Sequence, residues 1–552
     1  MPDADDHLRF PVVIIGAGPV GMVLALDLAC RGVPSALVDQ AEHARAYPKG
    51  NTHNTRTMEH YRRLGLADAV RATGLPPDHP TDVAYFTQLN GYELQRLPMQ
   101  SSAEKMAARA RHDVTDQIPE PLHRSNQMYV EQLLFAAVRN NPAITCLFGT
   151  ECIGFAEIEG GVAVQLIDDE GEQTLTGQYL VGCDGPRSLV RRSLGISYKG
   201  EDAREQGFMS GLTHSTYLRI PRLHRDVIRR PAWQYWMLRP TAVSNLINLN
   251  ADDEFLYNAV KGDASDDDAV LRLVTDCVGQ ALEVEILDTQ EWIAGRALVA
   301  EQYGRGRVLL CGDAVHLFTP TGGFGMNTGI DDAANLAWKL AATIQGWGGP
   351  GLLASYELER RPVGVRNTRA ALDLAKGIAG IPLGPVLEAD DADGAAARKI
   401  AADILAGFSE EFASLGIQLG ARYDGSPVIV GDGAQPPEDR SDIYLPTSVP
   451  GGRAPHVWMS GDRSLYDLLG PGFAILRLGP GAPDIGPLEQ AAAARGVPFT
   501  VVDIPFPEAR DLYERPLALI RPDQHVAWRG DRLPDPSELL DVAVGVAIPQ
   551  PA

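Results

Sequence analysis

The stretch Gly16-Ala17-Gly18-Pro19-Val20-Gly21 limits the fold of this chain more than any other. Its GxGxxG glycines stand between a β-branched run, Pro11 to Ile15, and a segment with apolar residues at helical spacing, Val20 to Arg31, that Gly32 stops. A second strand follows at Ser35 to Val38 and leads into Asp39 and Gln40. Strand, glycine turn, helix and strand within about 30 residues open a dinucleotide-binding βαβ unit. In such a unit Gly16 permits the tight turn, Gly18 lets a pyrophosphate approach the backbone, Pro19 opens the helix and Gly21 allows close packing. The helix N-terminus attracts the anion, and Asp39, 23 residues after Gly16, is placed to accept hydrogen bonds from ribose hydroxyls.

Two further motifs lie downstream. In Gly182-Cys183-Asp184-Gly185-Pro186-Arg187-Ser188 a strand ends in Asp-Gly and a helix begins near Ser188. Taken alone it reads as a capped turn. Gly312-Asp313-Ala314-Val315-His316 delivers an acid from a strand, and Pro320-Thr321-Gly322-Gly323-Phe324-Gly325-Met326-Asn327 then forms a glycine-rich loop opening a helix whose free N–H groups suit an anion.

Around these motifs, helices (Gln127 to Arg139, Gly329 to Ile344, Leu352 to Ala375) alternate with strands (Val162 to Ile167, Tyr179 to Gly182, Val308 to Cys311). Residues 198–295 read instead as an inserted antiparallel sheet with period-two alternation. Proline and glycine become dense over 425–457, which reads as a linker, and 458–552 carries strands and a helix of a small α/β domain. The predicted fold class is α/β: a Rossmann-like dinucleotide-binding domain in two parts, 1–197 and 296–424, an inserted antiparallel sheet over 198–295, and a small C-terminal α/β domain. The acidic runs Asp266 to Asp268 and Glu388 to Asp393 read as solvated surface.

Acidic residues outnumber basic ones by 72 to 49, a formal charge of −23, which argues against nucleic acid or anionic lipid as a partner. The six cysteines form no CxxC and no Cys/His pair at zinc spacing, so no metal site is expected and the thiols read as reduced and buried. An acidic N-terminus cannot serve as the basic region of a secretory signal, and glycines break the most apolar stretch, Phe10 to Leu26. A cytoplasmic protein with no membrane span is expected.

The three motifs in this order resemble the group A flavoprotein aromatic hydroxylases, with the fold of para-hydroxybenzoate hydroxylase and phenol hydroxylase, and the resemblance runs over nearly the whole chain. It implies FAD held by Gly16, Gly18, Pro19, Gly21, Asp39 and Gln40 at the ADP half, and by Asp184 and Gly185 at the motif that also serves passage of the nicotinamide cofactor. Gly312 and Asp313 would meet the ribitol, and Pro320, Gly323, Gly325, Met326 and Asn327 the isoalloxazine ring. Gln127 matches a glutamine that contacts flavin, and Arg56 lies at a matching helix start. The chain departs from the pattern at Asp39-Gln40, where relatives carry Glu and a basic residue, and at Lys49, where they often carry arginine. The resemblance makes the two-part Rossmann-like domain FAD-binding, the inserted sheet substrate-binding and the C-terminal α/β domain thioredoxin-like; without CxxC that tail is expected to run no dithiol chemistry and to serve association or stability, separable from catalysis.

The resemblance further implies a single-component monooxygenase, using NAD(P)H and O2, that hydroxylates a phenolic ring through a C4a-hydroperoxyflavin. Its partner is a small aromatic substrate, and the chain leaves room for a homodimer. His53, Tyr217 and Tyr235 are candidates for deprotonating the phenol, since His and Tyr are usual proton-transfer groups. His214 and the aromatic Trp233, Trp236 and Trp292 lie in or beside the same sheet. Alternatives are oxygenation of a larger polyketide-like aromatic by hydroxylation, epoxidation or Baeyer-Villiger insertion, and a flavin-binding protein that sequesters a reactive intermediate. Halogenation is disfavoured because no Trp-x-Trp-x-Ile-Pro occurs.

Overall fold

Three strands at the start of the chain set the first domain. Arg9–Ile15 lies between Ser35–Asp39 and Gly171–Gly182, parallel to both, and Val12, Val13 and Ile14 are fully buried. That accounts for the continuous apolar run, since parallel strands are covered on both faces. The sheet continues through Val308–Leu310 to Gly304–Arg305 on one side and to Ile144–Phe148 on the other. The computed structural model describes residues 9–111, 113–202, 211–294, 296–378, 383–412 and 414–546. Most of the acidic N-terminal segment that argues against a signal lies outside them. Among the described residues no helix is long and apolar enough to cross a membrane.

Helix Pro19–Cys30 packs on this sheet and on helix Phe324–Ile344. Its Asp27 is fully buried and takes Arg31 Nε at 3.0 Å and both Arg63 terminal nitrogens at 2.7 Å. Burial raises this carboxyl, but Arg31 and Arg63 outweigh it and hold the pKa at about 2. A folded pKa below the unfolded one adds stability above about pH 4 that is lost as pH falls toward 2, here ~2–3 kcal/mol. The gap in urea midpoint between parent and Asp27→Asn is therefore expected to narrow as pH is lowered through that window. A constant gap would rule this out.

The inserted sheet has seven strands, in the order Glu285–Ala294, Gly211–Arg219, Glu254–Lys261, Val243–Asn248, Gln234–Leu238, Val83–Phe86, Glu93–Leu97. The last two come from the first 197 residues, so the segment given whole to the first domain also completes the inserted sheet. Val83–Phe86 runs parallel to Gln234–Leu238, a pairing with a long crossover that no local pattern reveals. Tyr198–Asp202, expected at the start of the insert, instead pairs with Arg296–Ala300, and that strand with His316–Leu317.

The C-terminal domain is a four-stranded sheet, Phe499–Ile504, Phe473–Leu478, Leu517–Ile520, Val526–Gly530, with only the first pair parallel. The expected linker is not one throughout: Val428, Ser448, Arg453, Ala454, His456 and Val457 are buried, and Ala454 and Val457 belong to this domain's core. The tail also packs against the first domain. Trp338, Trp347 and Leu352 share a core with Phe473, Ile475 and Leu540. Arg521 grips Glu359 with two nitrogens at 2.6 and 2.7 Å, and Glu359 also accepts from Lys339 (2.6 Å), Asn335 (2.8 Å) and Ser426 (2.6 Å), all of them buried.

One smaller expectation gains detail and another changes. Asp266 and Asp391 are exposed, as expected of solvated surface, and in addition cap helices by accepting from Ala269 and Gly394. All six cysteines are free, but Cys30 is exposed and Cys146 and Cys183 are half-buried.

Candidate active site

The three glycine motifs converge at one end of the first sheet. Gly16 has φ +104°, donates its N–H to Val38 O (2.8 Å), and has no room for a side chain, because a Cβ there would lie 2.4 Å from Cys183 O. A Cβ at Gly18 would meet nothing within 4 Å, so this side of the turn is open to a ligand. Val20, inside the same motif, touches both Gly312 and Gly329, where an added Cβ would come within 3.0 and 2.7 Å of its side chain. The first and third motifs thus close on each other.

Half-buried Asp39 stitches the first turn by accepting from Ala17 N (2.6 Å) and Ala41 N (2.9 Å), and the exposed Gln40 follows it. Each carboxylate oxygen keeps a lone pair for a hydroxyl donor. Asp184 Oδ2 accepts from Val190 N (3.1 Å), whereas its buried Oδ1 has no protein partner, and Gly185 beside it has φ +78°. Asp313 sits in a 3-10 turn, with its backbone carbonyl accepting from Tyr198 Oη at 2.6 Å. Its carboxyl is reached by solvent yet lies on a concave wall. The surrounding protein raises its pKa, while His316, Lys49 and Arg45 pull it down.

Lys49 feels the charges of Arg45, Glu131 and Asp313. Burial and Arg45 lower the Lys49 pKa, opposed by Glu131 and Asp313. Gln127 donates to Glu131 (2.5 Å) from the first turn of helix Gln127–Arg139, and its backbone N–H to Gly50 O (2.7 Å).

Helices Pro19–Cys30 and Phe324–Ile344 both begin at a glycine with no side-chain cap, unlike Thr55–Arg63 and Gln127–Arg139, which Asn54 and Asn126 cap. Their first N–H groups therefore face the cleft as donors. In the loop before the second helix Pro320 is exposed, Gly322 and Gly323 have φ +75° and +64°, Gly325 lies by Phe318, and Met326 packs on the core. Asn327 spends its side chain on the protein, donating to Thr52 O (2.9 Å) and Gly323 O (2.6 Å) and accepting from Asn54 N (2.9 Å). Only its backbone is available to a ligand.

Across the cleft, adjacent strands of the seven-stranded sheet align Tyr85, Trp236, Asn245, Asn258 and Ser215 in one row. Asn258 donates to Asn245 Oδ1 (2.7 Å) and accepts from Ser215 Oγ (2.5 Å), which itself accepts from Trp292 Nε1 (2.7 Å). Tyr47 from the first domain donates to Ser215 O (2.5 Å), and Arg124 lies 3.9 Å above the Trp233 ring. This face thus looks toward the nucleotide domain.

Residues 9–371 match the family model described as FAD binding domain, and residues 447–546 the one described as aromatic-ring hydroxylase, C-terminal. The chain belongs to the FAD-dependent aromatic-ring hydroxylases. It is 30% identical to aklavinone 12-hydroxylase RdmE of Streptomyces purpurascens over 96% of each chain. It is 28% identical to phenol 2-monooxygenase of Pseudomonas sp. (strain EST1001) over 99% of this chain and 94% of that one. A structure of the rebeccamycin biosynthetic enzyme RebC with reduced flavin superposes with TM-score 0.88 at 34% identity, covering 98% and 99% of the two chains.

The residues present fit FAD on structural grounds: an open cradle at Gly18, an orphaned carboxylate oxygen on Asp184, an unbonded carboxyl on Asp313 and two uncapped helix starts. Among the described residues no cluster of His, Cys, Asp or Glu is built to hold a metal.

Three expected site residues of this hydroxylase stand elsewhere. Arg56 is buried with its guanidinium committed to Glu59, Asp331, Gln524 and Asp523 O, so it is a strut between domains and not a flavin contact. His53 is completely buried beside Tyr61, and burial drops its imidazole to about pKa 3, so it cannot reach a substrate. Tyr235 is completely buried on the far face of the sheet with Met237 and Tyr257, its oxygen accepting from Ala232 N (2.7 Å).

Only Tyr217 lies beside the cluster facing the first domain, and Tyr129 of that domain shares Glu254 with it. Sequence reading missed Tyr47, Arg45, Ser215, Asn245 and Asn258. A signal was there for Asn258, an amide on a strand whose other face is the apolar Phe255, Tyr257 and Ala259; the strands of Ser215 and Asn245 carry polar residues on both faces and gave none.

Proposed function

We propose that this hydroxylase is a single-component NAD(P)H-dependent enzyme that oxygenates a phenolic ring lying between the Trp236–Asn245–Asn258–Ser215 row and the Gly323–Asn327 loop. The observation carrying this reading is that row: a buried strip of aromatic and amide groups turned toward the cofactor domain. Aromatic side chains offer a flat surface to a ring, and amides offer donors and acceptors to its hydroxyls.

When bound, FAD supplies the redox chemistry with O2. The chain does the rest. The uncapped amides from Phe324 onward hold negative charge at the pyrimidine end as preorganised donors. Asp313 anchors the ribitol, Lys49 and Arg45 face the cleft with positive charge, and the two sheets exclude water. Tyr217 is the remaining proton-transfer candidate. Burial and Glu254 raise its pKa, so at neutral pH it passes a proton along its hydrogen bond rather than by standing ionised. Tyr217→Phe is expected to lower kcat with FAD still bound. A kcat equal to the parent's would exclude this role.

A larger polycyclic substrate is the second reading, favoured by the similarity to the aklavinone hydroxylase and to RebC. NAD(P)H oxidation and O2 uptake with simple phenols and with polycyclic phenols decide between the two. The class that accelerates flavin reduction and gains one oxygen atom is the substrate. Acceleration by neither, with FAD bound, would leave the alternative of a flavin protein that sequesters its ligand.

A further inference from the structure

Helix Thr55–Arg63 has two sets of partners that together make it a mechanical link. At its start, Asn54 accepts from Thr57 N (2.8 Å) and donates its own N–H to Asn327 Oδ1 (2.9 Å). Asn327 in turn binds Thr52 O and Gly323 O, so one side-chain amide fixes helix and flavin loop together.

On the body of the same helix, Arg56, Glu59 and Arg62 recur every third residue and thus share a face. All three reach the C-terminal domain. Arg56 donates to Gln524 Oε1 (2.5 Å) and Asp523 O (2.7 Å), Glu59 accepts two bonds from Arg453, and Arg62 grips Asp467 at 2.8 and 2.7 Å and Asp462 O at 2.9 Å. Arg56 also binds Asp331 (3.2 Å), which lies seven residues into helix Phe324–Ile344, about 10 Å along its axis from the flavin loop. His60 of the same helix meets the same Asp331 oxygen (2.8 Å), and Arg360 holds the other one (2.5 Å).

We propose that the C-terminal domain is the positioning element of the flavin loop, acting through the ion-paired face of helix Thr55–Arg63. Buried, fully hydrogen-bonded charges hold one geometry, because any shift leaves a charge without its partner in a low-dielectric interior. Two rigid helices then carry that geometry to the loop, where the amides of Phe324 to Asn327 must sit within hydrogen-bond reach of the cofactor. Displacements of about 1 Å at such donors are enough to change catalysis. Arg56, Glu59, Arg62, Arg453 and Gln524 are positioning residues, acting on the flavin through Asn327 and Asp331.

The test uses the full-length holoenzyme with two conservative changes. Gln524 has φ +65°, a conformation asparagine tolerates, so Gln524→Asn keeps the backbone while its amide stops one methylene short of Arg56. Arg453→Lys keeps the charge and loses the two-point grip on Glu59. The midpoint potential of bound FAD, the peroxide released per NAD(P)H oxidised, and the thermal midpoint are measured on each.

The expected result is a shifted potential and a several-fold rise in the peroxide fraction in both variants, with FAD still bound. If the thermal midpoint falls while potential and peroxide fraction stay at the parent's values, the domain merely stabilises the fold and the proposal is overturned. Should either variant fail to accumulate as folded protein, Arg62→Lys at the partly exposed end of the same face carries the same three measurements and the same two outcomes.

Discussion

Replacing Asp313 by alanine raises the dissociation constant for FAD ~10–150-fold, the equivalent of the ~1.5–3 kcal/mol carried by a hydrogen bond to a charged group. The effect is confined to the cofactor. Among the described residues the Asp313 carboxyl makes no hydrogen bond or ion pair with the protein, so its removal orphans nothing inside the fold. Folded apoprotein should therefore be recovered in normal yield and be colourless after dialysis. Asp511→Ala, an exposed acid of the C-terminal domain, is the control and keeps its FAD. Titration of both apoproteins with FAD, followed by flavin fluorescence, gives the ratio. Equal affinities would show that the third motif does not hold the cofactor.

Glu359→Ala has the largest effect on stability, a loss of about 3–5 kcal/mol or more, the range found when one partner is removed from a buried ion pair. Here Lys339 loses its carboxylate partner and Arg521 loses one of two, keeping Asp523 at 2.7 Å, and both cations have fully buried side chains. Burial pushes the Glu359 pKa up, yet Arg521 and Lys339 hold it at about 2, so the carboxylate is ionised throughout the physiological range. Glu359→Gln keeps the shape and loses the charge, and belongs in the same series. Urea unfolding by tryptophan fluorescence measures the loss, since Trp338 lies in the adjoining core. A Glu359→Ala midpoint indistinguishable from the parent's would mean that this ion pair contributes nothing. For the same reason a chain ending near Arg440 is expected not to fold.

The nucleotide half of this molecule was legible because its chemistry is written in contiguous residues. Gly16, Gly18 and Gly21 have distinct steric tasks that spacing alone conveys, and Asp184 and Asp313 each close a strand beside a glycine. The substrate half was not, because its face is assembled across strands. Tyr235 and Trp236 are neighbours in sequence yet lie on opposite sides of the sheet, and only pairing with Val243–Asn248 and Val83–Phe86 reveals which side meets the cofactor. Arg56 was misplaced for a related reason: a helix start beside the flavin loop carries no sign that a guanidinium will turn instead to Gln524, 468 residues away. Proline and glycine density over 425–457 signalled irregular backbone correctly but said nothing about packing.

That distance sets a timetable for biosynthesis. At ribosomal speeds of about 5–20 residues per second, a nascent chain carries Arg56 for roughly 25–95 s before Gln524 exists to receive it. Val83–Phe86 likewise waits for Gln234–Leu238 as an unpaired apolar edge. The cleft that takes the flavin is held in its final shape only after the last hundred residues have been made. Loading of the cofactor is thus expected to be a late event: a polypeptide released early, though it contains every flavin motif, lacks the Gln524 and Asp523 contacts of Arg56 and leaves it with Glu59 and Asp331 alone.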